Sequence, residues 1–277
     1  MSSWIKALED LPRSKPEEWQ DESSLYFIID RVLQPQALEK LYQAEGSIET
    51  RLLFQNSDYA ALIDNSPVWV SVQGSSAAGQ TAAQLCHERQ AGIAVHSSLS
   101  AEEAFRHAQS LLTVNSTVHG ESLCRYYDPR LWAALALSLD NKALANLFGP
   151  WAQVLTPAYH RVGSKNTWLS WESRQQVLRT TQQLSLGAPE FELHQEIRWL
   201  YWISERPDAF ASPLSSATMR IVIDNLQLLS EHGIDEARHL QRLLPRLDKQ
   251  PLLSHDEIMS TLRSDLPLIQ KLEKLEG

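Results

Sequence analysis

The sequence predicts an α/β N-terminal lobe with a mixed or mostly parallel sheet, residues 1–150, followed by an all-α C-terminal lobe, residues 151–277. Three observations predict it. Short β-rich runs alternate with helical stretches in the first half; apolar residues recur at three and four spacing in the second; and Gly149-Pro150 punctuates the change. At 277 residues, 43% of them hydrophobic and 21% charged, the chain has apolar material for a packed core, and no internal repeat points to a solenoid instead.

In the first lobe Leu25–Asp30 (LYFIID) reads as a buried strand, and Pro35–Ala44 follows with Ala37, Leu38 and Leu41 at helical spacing. Arg51–Phe54 and Val68–Val72 are two more strands, with a short helix around Asp58–Ile63 between them. A small-residue loop, Gly74–Gly79, leads into a helix through about Arg89 and then an apolar strand, Gly92–His96. Ser100 opens a helix with Glu102 and Glu103 in its first turn, where the helix dipole favours carboxylates. A last strand, Leu123–Tyr127, runs into Asp128-Pro129, an N-cap followed by proline at the first helical position.

In the second lobe helices are expected over Trp171–Leu186, Pro189–Ser204, Ser215–His232, Asp235–Leu247 and Ser254–Leu275. Gly187-Ala188-Pro189, Arg206-Pro207, Gly233 and Gln250-Pro251 supply the breaks.

Charge narrows the ligand classes. Residues 1–150 hold 11 Lys and Arg against 18 Asp and Glu, and the whole chain has a formal charge of −9. Phosphate backbones are poor ligands for such a surface, so a protein partner is expected and nucleic acid is not. Cys86 and Cys124 are too few for a disulfide framework or a thiolate zinc site and are expected to be buried, reduced thiols. Met1–Leu11 is polar and charged, unlike a signal peptide, and no apolar run approaches the roughly 20 residues of a membrane span, so a cytoplasmic protein without a membrane partner is expected.

Motifs for chemistry are near misses. Gly74-Ser75-Ser76-Ala77-Ala78-Gly79-Gln80-Thr81 has P-loop glycine spacing after a strand and before a helix, but Gln80 stands where a lysine would reach the phosphates. His87-Glu88-Arg89-Gln90-Ala91 falls one ligand short of a zinc-protease HExxH. No GxSxG elbow exists, and neither cysteine lies in a nucleophile motif. The expectation is a protein that is not an enzyme and needs neither cofactor nor metal.

The string Cys124-Arg125-Tyr126-Tyr127-Asp128-Pro129-Arg130 is the most distinctive. Strand alternation would put Arg125 and Tyr127 on one face. Arg125 or Arg130 is expected to pair with a carboxylate such as Asp30 or Asp128, pinning the corner; the functional alternative has the same arginines facing a partner. Nine tryptophans are many. Trp168 and Trp171, like Trp199 and Trp202, are three apart and could share a helix face, so any exposed member would be a binding anchor.

Leu25–Asp30, then Leu52-Leu53-Phe54 with Tyr59 and Leu62, then Ser66-Pro67-Val68-Trp69-Val70 resemble the domain-of-unknown-function family 4123. So do Gly92–Val95 leading to Leu99-Ser100, the helix Glu103–Leu112, and Arg125–Arg130, and the resemblance spans roughly residues 24 to 150. By that resemblance Tyr26, Asp30, Pro67, Arg125, Asp128, Pro129 and Arg130 fall on recurrent positions. The family contains adaptor chaperones of bacterial type VI secretion, which bind an effector toxin and help load it on the valine-glycine repeat spike protein. The resemblance therefore implies an adaptor whose partners are an effector and the spike. Two other classes stay open: a nucleotide-binding or hydrolytic enzyme using Gly74–Thr81, and an immunity protein that neutralises a toxin with its acidic lobe.

Overall fold

The structure is a computed structural model, and it describes residues 3–19, 25–73, 76–97, 99–117, 120–159, 166–173 and 183–276. The chain runs α1 (Ser3–Glu9), β1 (Arg13–Ser14), β2 (Leu25–Ile29), α2 (Ala37–Gln43), β3 (Ile48–Leu52), β4 (Val68–Val72), α3 (Ala77–His87), β5 (Gly92–Ser97) and α4 (Ala101–Ser110). It continues through β6 (Thr113–Ser116), β7 (Gly120–Leu123), α5 (Pro129–Ser138), α6 (Asn141–Phe148), β8 (Trp151–Pro157), β9 (Trp168–Glu172) and β10 (Ser185–Leu186). Five helices follow: α7 (Ala188–Ser204), α8 (Ser216–Glu231), α9 (Ala237–Leu243), α10 (Asp256–Arg263) and α11 (Leu268–Glu276). Two units result, Leu11–His194 and Met1–Asp10 with Gln195–Gly277, and the boundary falls inside α7.

The larger unit holds a seven-stranded sheet of order β1-β9-β8-β5-β2-β4-β3, in which the described pairings are antiparallel. The expected mixed or mostly parallel sheet is therefore wrong. β4 and β5 both run antiparallel to β2, so they point the same way and α3 crosses between them as a strand–helix–strand alternation suggests. β2, made earlier in the chain, occupies the place between them. The alternation was real, but the neighbour relation it implied was not. A small second sheet, β10-β6-β7, contains a parallel pair, β10 with β6.

The expectation of an all-α region beyond residue 150 is overturned as well. β8 pairs with β5, and β9 pairs with β8, placing Trp151–Pro157 and Trp168–Glu172 in the main sheet. Of the helix expected over Trp171–Leu186, Trp171 and Glu172 are strand, Ser185 and Leu186 form β10, and residues 174–182 lie outside the described residues. Trp168, Leu169, Ser170 and Trp171 are all buried. A strand covered on both faces shows no two-residue alternation, so the three-residue spacing of its tryptophans imitates a helix.

Both faces of the sheet are covered. On one side α2 and α3 pack Leu41, Ala82 and Cys86 against Phe27, Val70, Leu155 and Trp168. On the other Tyr26 stacks on Trp69, with ring centroids 4.7 Å apart, and Trp69 meets Phe105 of α4 edge-on. Trp132 of α5 lies over Trp151 on that side and meets Phe148 of α6 edge-on. Where β5 begins, a Cβ on Gly92 would lie 2.2 Å from the Ile28 carbonyl oxygen and 2.8 Å from Cys86 Sγ, so only glycine lets β5 and α3 approach here.

In the smaller unit, Ser215 caps α8 by accepting a hydrogen bond from the Thr218 amide, and Val222, Ile223, Leu226 and Leu229 form the buried stripe of that helix. The helix expected over Ser254–Leu275 is two helices. The last turn of α10 ends before Ser264, and Pro267 disfavours helical geometry at the residue before it. α9 likewise stops at Leu243, before Pro245, and a single 3-10 turn continues it.

Candidate functional site

One end of the main sheet gathers the residues singled out in the sequence. Ile29 lies opposite both Val68 and Gly92, which brings Asp30, Pro67 and Ala91 to the same end. The Asp30 amide donates to the Ala91 carbonyl at 2.7 Å, and Asp30 Oδ1 accepts from the Val32 amide at 2.9 Å, so the carboxylate folds the chain into a tight turn after β2. Gln34 fastens that turn by donating its side-chain amide to the Leu85 and Glu88 carbonyls, and Arg89 donates to the Leu33 carbonyl. Arg89 and Gln90 adopt positive φ values of 60° and 54°, which swings the chain out of α3; Ala91 therefore does not continue the helix that carries His87.

Arg125 completes the corner. The expected strand Leu123–Tyr127 ends at Leu123; beyond it the Cys124 amide donates to the Leu112 carbonyl and the Asp128 amide to the Arg125 carbonyl, closing a turn. A turn replaces the strand, yet Arg125 and Tyr127 still meet through a side-chain hydrogen bond. Tyr126 and Tyr127 are both buried while Arg125 points outward, its Nη2 donating to Asp30 Oδ2. The Asp30 side chain is 5% exposed and that of Arg125 45%. Val32, in the same turn, is 55% exposed.

Asp128 does two jobs at the start of α5. Its Oδ1 caps the helix by accepting from the Arg130 amide at 2.9 Å, and its carboxylate receives Arg130 Nε at 2.8 Å and Nη2 at 2.7 Å in a two-pronged ion pair. Pro129 sits buried at the first helical position, where no amide is needed. Burial pulls the Asp128 pKa up, but the hydrogen bonds and charge of Arg130 outweigh it and hold the group below the ordinary carboxylate range. Burial, with Asp30 nearby, pushes the Tyr127 hydroxyl well above its usual value. Arg125 with Asp30 and Arg130 with Asp128 are thus ion pairs that can scaffold this corner.

The aromatic candidates divide. Trp168 is fully buried against Trp19 and Phe27, and Trp171 is buried with its indole N–H donating to Thr156 Oγ1 at 2.9 Å, so both are core residues of β9. Trp199 and Trp202 do share α7, edge to face at 5.9 Å, and the Arg206 guanidinium covers the Trp202 ring at 4.2 Å. Tyr26 is buried in the sheet, and the Pro67 carbonyl accepts from the Leu53 amide.

Of the P-loop-like string, Gly74 and Ser75 lie outside the described residues, and the rest is not loop but the start of α3. The Gly79 amide donates to the Ser76 hydroxyl at 3.0 Å, an ordinary N-cap. Among the described residues no group of three or more His, Cys, Asp or Glu side chains could hold a metal ion, and no helix is long and apolar enough to cross a membrane. Sequence reasoning missed Val32, Gln34 and Arg89, whose role depends on a turn that no local pattern announces.

Residues 25–146 match the family model described as Domain of unknown function (DUF4123). The match contains the whole corner, from Asp30 to Arg130, and stops short of β8 and β9. No curated protein and no solved structure matches the chain.

Proposed function

We propose that the protein is an adaptor without catalytic activity, which binds a cognate effector in the cytoplasm and helps load it on the type VI secretion spike. The observation that carries this reading is the Arg125 corner. A guanidinium fixed by an almost buried carboxylate keeps nearly half of its side chain in solvent, and the same carboxylate accepts from the amide of exposed Val32. Of five N–H donors, those not spent on Asp30 and Tyr127 are held in a preset orientation, so a cargo carboxylate or carbonyl can be met with little loss of side-chain freedom. Cation and apolar neighbour together make a compact anchor of the kind that dominates binding energy. The match of residues 25–146 supports the family to which such adaptors belong.

Co-purification tests it. Tagged protein co-expressed with a candidate effector toxin and a type VI spike protein should retain the toxin, and Val32→Ser, which alters only an exposed side chain, should weaken retention several-fold. Arg125→Glu should abolish it. A wild-type protein that retains neither toxin nor spike defeats the reading, and so does turnover of a nucleotide by the pure protein.

A further inference from the structure

The smaller unit contains a preformed groove that the corner above does not involve. Four helices contribute to it, through Leu229 of α8, Leu243 of α9, Ile258 of α10 and Leu275 of α11, and the connecting segment adds Leu247 and Leu252. Its volume is about 220 Å³. That is below the roughly 300–1,000 Å³ of sites for metabolite-sized ligands, and it suits one or two inserted side chains.

Two features distinguish it from an ordinary packing defect. The first is its support. Asn225 is 2% exposed and spends its side chain wholly on the connecting segment: Nδ2 donates to the Leu247 carbonyl at 2.9 Å and the Gln250 carbonyl at 3.0 Å, and Oδ1 accepts from the Leu252 amide at 2.7 Å. A buried amide with three satisfied bonds fixes the shape of the wall before anything binds. The second is charge. The polar lining consists of Arg246, Lys249, Gln250 and His255, with no carboxylate among the lining residues, in a chain whose net charge is −9. Lys249 is 65% exposed and is ion-paired with Asp248 at 3.1 Å, so its charge at the rim is shared with that carboxylate while Arg246 supplies the second cation. Arg246 spends one Nη1 hydrogen on the Leu275 carbonyl and is otherwise exposed.

We infer that this groove docks an acidic, leucine-bearing helical segment of a partner protein, with the apolar side chain inserted between α9 and α10 and its flanking carboxylates on Arg246 and Lys249. Apolar walls reward the anchor, and the cationic rim selects acidic segments over basic ones.

The test uses the full-length protein and a short fluorescein-labelled helical peptide with leucines three and four apart and glutamates at the remaining positions. Fluorescence anisotropy should show saturable binding, weakened about tenfold, or 1.4 kcal/mol, by Lys249→Glu. A peptide with lysines in place of the glutamates should not bind. Ile258→Asp should abolish binding; because Ile258 is half-buried, Arg246→Glu, an exposed position, serves as the second variant, with thermal melts checking that each is folded. No binding of the acidic peptide, equal binding of the basic one, or binding indifferent to all three substitutions overturns the proposal. None of these outcomes depends on toxin retention at the Arg125 corner.

Discussion

Arg125 and Asp30 stand 95 positions apart in the chain, yet their ion pair fastens the turn after β2 to the turn before α5. The pair is lopsided, with the carboxylate nearly enclosed and the guanidinium half in water. Removing either partner therefore has different consequences.

Arg125→Gln leaves a nearly buried carboxylate with only backbone donors. The expected cost lies between the 0–1 kcal/mol of exposed pairs and the 3–5 kcal/mol of broken buried ones, about 2 kcal/mol. Asp30→Asn frees a guanidinium that water can solvate, but weakens the turn it caps, at about 1 kcal/mol. In urea unfolding the double variant should be more stable than the sum of the two losses predicts; strict additivity would mean that the pair carries no coupling.

His107, on α4, is buried against Trp151 at 4.7 Å, with Nε2 3.0 Å from the Leu147 carbonyl oxygen. Burial lowers its pKa from 6.5 to about 4, against the opposing pull of that carbonyl. The unfolded chain then binds a proton between pH 6.5 and 4 that the folded chain refuses, so stability falls as pH drops through that window, by about 3 kcal/mol at its lower end. His107→Gln should flatten this part of the pH–stability curve relative to the parent, measured by chemical denaturation at several pH values.

Gly149 faces the same imidazole. Its φ is 53°, and a Cβ would lie 2.4 Å from His107 Cε1. Gly149→Ala should cost about 2–4 kcal/mol from overpacking and backbone strain together. Gly149→Ala with His107→Ala should recover the steric share, leaving the part due to φ; thermal melts of the three variants separate the two.

Cys86 and Cys124 are buried free thiols, and burial pushes Cys124 up to about 12 and Cys86 well above its ordinary value. Neither should react with a disulfide reagent at pH 8 in the native protein, and both should react at once in denaturant. Rapid labelling of the folded chain would contradict their placement.

What the sequence determined was local. The strand runs at Leu25–Ile29, Val68–Val72 and Gly92–Ser97, the capping box of Ser100 with Glu103, the cap and proline at Asp128-Pro129, and the helix opened by Ser215 all depend on residues within a few positions of one another. Such signals survive any tertiary arrangement. The sequence suggests that Arg125 or Arg130 pairs with a carboxylate such as Asp30 or Asp128; the folded chain sets Arg125 on Asp30 and Arg130 on Asp128.

Only the tertiary structure decided that β2 lies between β4 and β5, that β8 and β9 extend the sheet beyond residue 150, and that Trp168 is core. Each is a choice among long-range neighbours whose burial energy is similar in sequence and differs only once the other strands are in place. The groove held by Asn225 follows the same logic: its walls come from four helices, and no stretch of chain contains enough of it to be read alone.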